Sequence, residues 1–249
     1  MQISKPNKDR IMVLGDTHGV WYPVNQLISS RKPHMILQCG DFGYFPKLHQ
    51  NTEMNMNGCV KRKPWDQFGL KNRDINGNDI RFYWCDGNHD DHDSLKVLID
   101  KREPFPMPNF SDVWHCPRGS YVTLPDGRVV LFIGGGHSID FEYRTQGLDW
   151  WKTEVIDQAD VDALPDIDVD IIISHTCPRY FFDGMKMEMY LGKHTDPSCV
   201  ALNIAFDKYR PKKWYFGHFH HYRRNSYKGC DWTALSMTHE EGWWDWLPE

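Results

Sequence analysis

Short apolar runs recur along the chain, each bounded by Gly, Asp or Pro. They are IMVL at 11–14, MILQC at 35–39, IRFYWC at 80–85, VVLFI at 129–133, DIIIS at 170–174 and KWYF at 213–216. Runs of this length without polar alternation predict strands buried on both faces. Helical patterns fall between them, at 23–30, 93–101, 153–164 and 197–209. Ahead of the last, Asp196 offers a cap, and Pro197 suits the first helical turn. Strands alternating with helices predict an α/β architecture. Between YVTL and RVVLFI, Pro125-Asp126-Gly127 instead predicts a hairpin over 121–133. From 45 to 78 the chain turns polar, which predicts a surface excursion with a helix near 65–70 and a turn at Gly77-Asn78. No composition shift marks a boundary, so 1–249 is expected to form one domain, and the aromatics of its Trp-rich tail (240–249) are expected to pack on a sheet or helix face.

The residues just after each run change the picture. IMVL leads into Gly15-Asp16-Thr17-His18, MILQC into Gly40-Asp41, and IRFYWC into Asp86-Gly87-Asn88-His89-Asp90. DIIIS runs into His175, and KWYF into Gly217-His218-Phe219-His220. Taken singly, Asp16 and Asp41 are turn or capping residues, and His175 is a core histidine. Taken together, five strand ends carry metal-ligand residue types, and in open α/β sheets the site lies beyond those ends. Asp16, His18, Asp41, Asn88, His175, His218 and His220 are too many donors for one ion of about four to six ligands, and suit two ions if a carboxylate is shared. Mixed imidazole, carboxylate and amide donors favour first-row ions such as Mn, Fe, Zn or Co over calcium.

Composition narrows the compartment and the partners. With 40% hydrophobic and 25% charged residues, the chain is neither disordered nor a disulfide scaffold. The net charge of -5 counts against broad binding of nucleic acid. Seven dispersed cysteines without a C-x-x-C pair are expected to be reduced thiols. A polar start followed by only four apolar residues predicts no secretory leader, and no run approaches the ~18 apolar residues of a membrane span. A cytoplasmic protein is expected.

The ordered set Asp16-x-His18, Gly40-Asp41, Gly87-Asn88-His89-Asp90, His175 and Gly217-His218-x-His220 resembles the calcineurin-like metallophosphoesterase superfamily. The resemblance implies two facing mixed β-sheets flanked by helices, a four-layer αββα sandwich. It also implies two divalent ions, Mn²⁺ foremost and Fe, Zn, Ni or Co as others. Asp16, His18, Asp41 and His220 would hold the first, and Asp41, Asn88, His175 and His218 the second. It implies hydrolysis of a phosphate ester by a metal-bridging hydroxide, with His89 as general acid and Asn88 and His89 facing the substrate. His137, after Gly134-Gly135-Gly136, and Arg144 are further candidates for substrate contact. Phosphomonoesters or small phosphodiesters are the expected substrates. A DNA or RNA nuclease of the same superfamily is the alternative enzyme, and a non-catalytic scaffold the alternative outside enzymes. The resemblance departs from the Ser/Thr protein phosphatase branch at Gly40-Asp41-Phe42-Gly43-Tyr44-Phe45-Pro46, which lacks the Asp and Arg of that branch. The partner of His89 and the oligomeric state stay open.

Overall fold

All six apolar runs form strands, three of them shorter by a residue at one or both ends. The computed structural model describes residues 10–46, 69–74, 76–98, 101–108, 110–186 and 196–249. Its strands are β1 (Ile11–Leu14), β2 (Met35–Gln38), β3 (Arg81–Trp84), β4 (Phe105–Pro106), β5 (Val113–His115), β6 (Tyr121–Thr123), β7 (Val129–Ile133), β8 (Ile171–Ser174), β9 (Lys213–Phe216), β10 (Arg223–Tyr227), β11 (Cys230–Ala234) and β12 (Trp244–Trp246). Its helices are α1 (Trp21–Arg31), α2 (His92–Leu98), α3 (Gln158–Asp162), α4 (Phe182–Met185) and α5 (Pro197–Tyr209).

They build two six-stranded mixed sheets, ordered β12-β1-β2-β3-β5-β4 and β10-β11-β9-β8-β7-β6. In each, four parallel strands form the middle, flanked on both sides by an antiparallel edge strand. Alternation along each strand divides the core into layers. Ile11 and Val13 of β1 meet Val130, Phe132, Ile171 and Ile173 of the opposite sheet. Met12 and Leu14 turn the other way, against Val24 and Ile28 of α1. On the far side, Ile172, Trp214 and Trp232 pack under Leu202 and Phe206 of α5. Both faces of both sheets are therefore covered, which is why the strands read as unbroken apolar runs. The chain is the expected α/β sandwich of two facing mixed sheets flanked by helices. Among the described residues, no helix is long and apolar enough to cross a membrane.

Several sequence expectations need correction. The helix expected over 153–164 does not form as one piece. Lys152–Glu154 makes a single 3-10 turn, and α3 starts only after Asp157. Asp157 and Asp160 form a reciprocal capping box, while Ile156 is buried with its N–H donated to Ser198 Oγ at 3.1 Å. A capping residue in mid-pattern marks a boundary that apolar spacing alone hides. The expected helix near 65–70 lies largely outside the described residues, and Gly69 and Leu70 are irregular. The Trp-rich tail does more than cover a face: β12 pairs antiparallel with β1, matching Met12 to Trp246. The hairpin over 121–133 forms as β6 and β7, and Asp196 caps α5 by accepting the Ser198 N–H at 2.8 Å. The six described cysteines are buried and unbridged.

Candidate metal centre

The parallel strands β1, β2 and β3 lie side by side in one sheet, and β8 and β9 in the other. Each hands the chain to a site loop at its carboxyl end, so the two sheets deliver their polar residues to one place. Gln38, buried at the end of β2, ties two of these loops by donating to the carbonyls of Gly15, at 3.0 Å, and Gly40. Asp90 joins a third loop to them by accepting the N–H groups of Gly43, Tyr44 and Gly87 at 2.8, 2.8 and 2.9 Å. Asp91 caps the start of α2 through the Ser94 N–H at 3.0 Å.

The crowding is close enough to exclude side chains. Gly40, at φ +91°, sits where a Cβ would fall 2.6 Å from His175 Nδ1, and a Cβ on Gly217 would overlap Asp16 Oδ1. Four non-glycine residues of the site adopt left-handed backbone: His18 (φ 47°), Asp41 (53°), His218 (66°) and His220 (48°). Each such conformation costs an L-residue on the order of 1 kcal/mol, so the surrounding packing holds these side chains in place against local preference.

Two clusters result. In the first, the donor atoms of Asp16, His18, Asp41 and His220 all lie within 4.8 Å of one another. His220 Nε2 is 3.0 Å from Asp16 Oδ2 and 3.2 Å from His18 Nε2, and His18 Nε2 is 3.7 Å from Asp41 Oδ2. In the second, Asn88 Oδ1 lies 2.9 Å from His175 Nε2 and 3.0 Å from His218 Nδ1. His175 Nε2 is also 3.3 Å from Asp41 Oδ1. Asp41 thus faces both clusters. Its Oδ1 also accepts the His89 N–H at 2.7 Å, fixing that residue beside the donors, with its ring centroid 5.1 Å from that of His18.

The electrostatics follow from acids and imidazoles shut in together. Burial works against ionising Asp16, but the hydrogen bond from His220 and the charges of His175 and His18 outweigh it and hold the carboxyl below its usual range. The hydrogen bond to Asp16 raises His220. Burial lowers His175, yet Asp41 and Asp16 overcome it and raise the ring. Burial and the neighbouring His175 press His218 well below the ordinary histidine value. Buried carboxylates gathered with imidazoles at this spacing form a donor set for a borderline divalent ion, and both clusters suit one.

All seven expected ligands and His89 are brought together. Arg144, half-buried with its side chain covered and paired to Asp140 Oδ1 at 2.7 Å, sets its two terminal nitrogens 3.4 and 3.2 Å from the two ring nitrogens of His89. His137 is half-buried, its ring 5.4 Å from Phe141, and its charge adds to the lowering of His218. His221 stays outside the clusters, exposed and bonded to Arg223 Nε at 2.9 Å.

Two supports escaped the sequence. Asp86 receives Arg118 Nη2 at 2.9 Å, and Arg118 also donates to Asp160 and to the carbonyls of Thr153, Glu154 and Val155. Burial alone would raise the Asp86 pKa, but Arg118 and the nearby His115 and His92 outweigh it and hold it far below the ordinary carboxylate range. A lone Asp at a buried strand end signals that a cation must exist, but not which one. The other is Glu154, fully buried, whose Oε1 accepts the Ser138 N–H at 2.6 Å and the Trp150 Nε1–H at 3.1 Å.

Among known proteins, no curated sequence matches this chain. One crystal structure, 10% identical, superposes with a TM-score of 0.52 over 96% of this chain and 94% of its own, which is a likeness of fold. The phosphopantetheinyl hydrolase of Mycobacterium tuberculosis (11% identity, 97% of this chain and 96% of that one) reaches a TM-score of 0.49. The Plasmodium inner-membrane-complex anchor GAP50 (13% identity, 92% and 71%) reaches 0.43. The family model for calcineurin-like phosphoesterases matches residues 9–222, from before β1 to beyond His220, and so takes in the ends of β1, β2, β3, β8 and β9. The chain belongs to the calcineurin-like phosphoesterase family.

Proposed function

We propose that this protein hydrolyses phosphomonoesters or small phosphodiesters with two divalent ions. Asp16, His18, Asp41 and His220 hold one ion, and Asp41, Asn88, His175 and His218 the other. The observation that carries this reading is Asp41, whose two oxygens lie 3.7 Å from His18 and 3.3 Å from His175. Mixed N and O donors favour first-row ions, with manganese foremost and iron, zinc, nickel or cobalt as others. When bound, such a pair supplies Lewis acidity and a water activated at neutral pH.

The chain's own groups do the rest. His89 is anchored through its backbone to Asp41, and its imidazole, in the protonated form, gives a proton to the departing alkoxide. Arg144 faces the His89 ring and offers a planar fork to phosphate oxygens, while Asn88 and His137 complete the phosphate-facing wall. The Asp140 carboxylate holds that fork in position at 2.7 Å. An acidic chain suits a small phosphate ester focused on the ions better than an extended nucleic acid.

The test compares mono- and bis-nitrophenyl phosphate with the protein loaded with Mn²⁺, Ni²⁺, Zn²⁺ or Fe²⁺. Turnover of at least one ester with at least one ion is expected. Hydrolysis of neither ester with any ion would overturn the reading.

A further inference from the structure

Several groups outside the donor set converge on Asn88. This side chain is buried, with Oδ1 toward His175 and His218. An amide has two ends of similar shape, and only the oxygen end can coordinate a cation; the NH₂ end would repel it. Which end faces the donors depends on what receives the Nδ2–H. Here Ser138 Oγ receives it at 3.1 Å. Ser138 is buried too and is held by donating its own main-chain N–H to Glu154 Oε1 at 2.6 Å. Glu154 is fixed in turn: Trp150 Nε1 donates to its carboxylate at 3.1 Å, and Gly136 N–H and Arg118 Nη2 donate to its main-chain carbonyl at 3.0 and 2.8 Å.

Glu154 is an expensive way to anchor a serine. It is fully buried, and its Oε2 has no hydrogen-bond partner. A buried carboxyl left half-satisfied is retained where positioning outweighs its solvation cost. Hydrogen bonds behind a metal ligand orient it, and their loss lowers metal affinity.

We propose that Glu154 and Ser138 are positioning residues that set the amide of Asn88 oxygen-first and thereby fix the affinity of the second ion. The inference rests on the two-ion reading above and extends it to the stretch from 134 to 154.

The test uses the full chain, stripped with a chelator and titrated with Mn²⁺ by calorimetry, with thermal melting to establish that each variant is folded. Wild type is expected to show two binding constants. Ser138→Ala is expected to weaken one of them about 10- to 100-fold and leave the other as in wild type. Glu154→Ala is expected to do the same, whereas Glu154→Gln, which keeps an acceptor for the Ser138 N–H, retains both constants. Should Glu154→Ala fail to fold, Ser138→Ala and Glu154→Gln decide the matter between them. Two unchanged constants in Ser138→Ala, or a parallel loss of both, overturns the inference and leaves the two-ion reading standing. A wild type that binds fewer than two ions overturns both.

Discussion

The two halves of the centre are held by different means. Around Asp16, His18, Asp41 and His220 the dominant forces are charge against charge: Asp16 is kept ionised by its imidazole neighbours and His220 is raised by Asp16. A carboxylate presents equivalent oxygens, so little is needed to orient it. Around Asn88, His175 and His218 the donors are an amide and two imidazoles, groups with two unlike ends. There the structure spends hydrogen bonds on orientation. His175 Nδ1 lies 2.9 Å from the Cys39 carbonyl, which turns Nε2 toward Asn88 and Asp41. Asn88 is turned by Ser138. Carboxylates need burial and countercharge; amide and imidazole donors need a backing network. Asp41 faces both halves, with one oxygen toward His18 and the other toward His175.

That contrast can be broken at defined points. The largest effect is expected from Asp41→Ala, which removes a carboxylate whose two oxygens face the two halves. Metal content by mass spectrometry should fall at both sites, and turnover should drop on the order of 10³-fold. Retention of two tight ions would mean that the halves are independent. His89→Ala should cost about 10²-fold or more in turnover while metal content stays at the wild-type level, because His89 meets Asp41 through its backbone N–H, which alanine keeps. Loss of metal in that variant would make His89 part of the ligand frame instead.

Glycine substitutions separate the halves. Gly217→Ala presses on Asp16, and Gly40→Ala presses on His175. Each should weaken mainly the ion of its own half, by about tenfold to a hundredfold, in a two-site metal titration. Identical profiles for the two variants would erase the distinction.

The smallest expected effect is on stability. Burial pushes the Glu154 pKa up from 4.5 to about 7. The folded state therefore holds this proton more tightly than the unfolded chain, a contribution fully present below pH 4.5 and lost as pH rises through about 7. Glu154→Gln removes the titration, so its stability relative to wild type should rise between pH 5 and pH 8 by on the order of 2 kcal/mol. Chemical denaturation at the two pH values measures it. A gap independent of pH would show that Glu154 does not titrate in this range.

Most of the site was legible because its residues come directly after strands. Asp16, Asp41, Asn88, His175 and His218 each stand within four positions of an apolar run, and a buried parallel strand can carry polar side chains only where it leaves the sheet. The antiparallel edges were harder to see. β10 carries Arg, Arg, Asn and Ser on a largely exposed strand, and β12 alternates Trp and Asp, so neither resembles a buried strand. The broken helix at 153–164 was missed because its apolar spacing continues across Asp157, where the capping box interrupts the helix.

The sequence by itself determined which residue types stand at the strand ends, and with them the family, the α/β class and the donor chemistry. Those depend on short-range order, a strand followed by its loop. Only the tertiary structure decided that Asp41 faces both clusters, that Arg144 lies against His89, and that Glu154 reaches Asn88 through Ser138. Such pairs join residues 16 to 134 positions apart in the chain, and they meet because two sheets stack with their carboxyl ends together. A hydrogen bond between distant loops leaves no periodic trace in either, so the backing of the site appears only once the chain is folded.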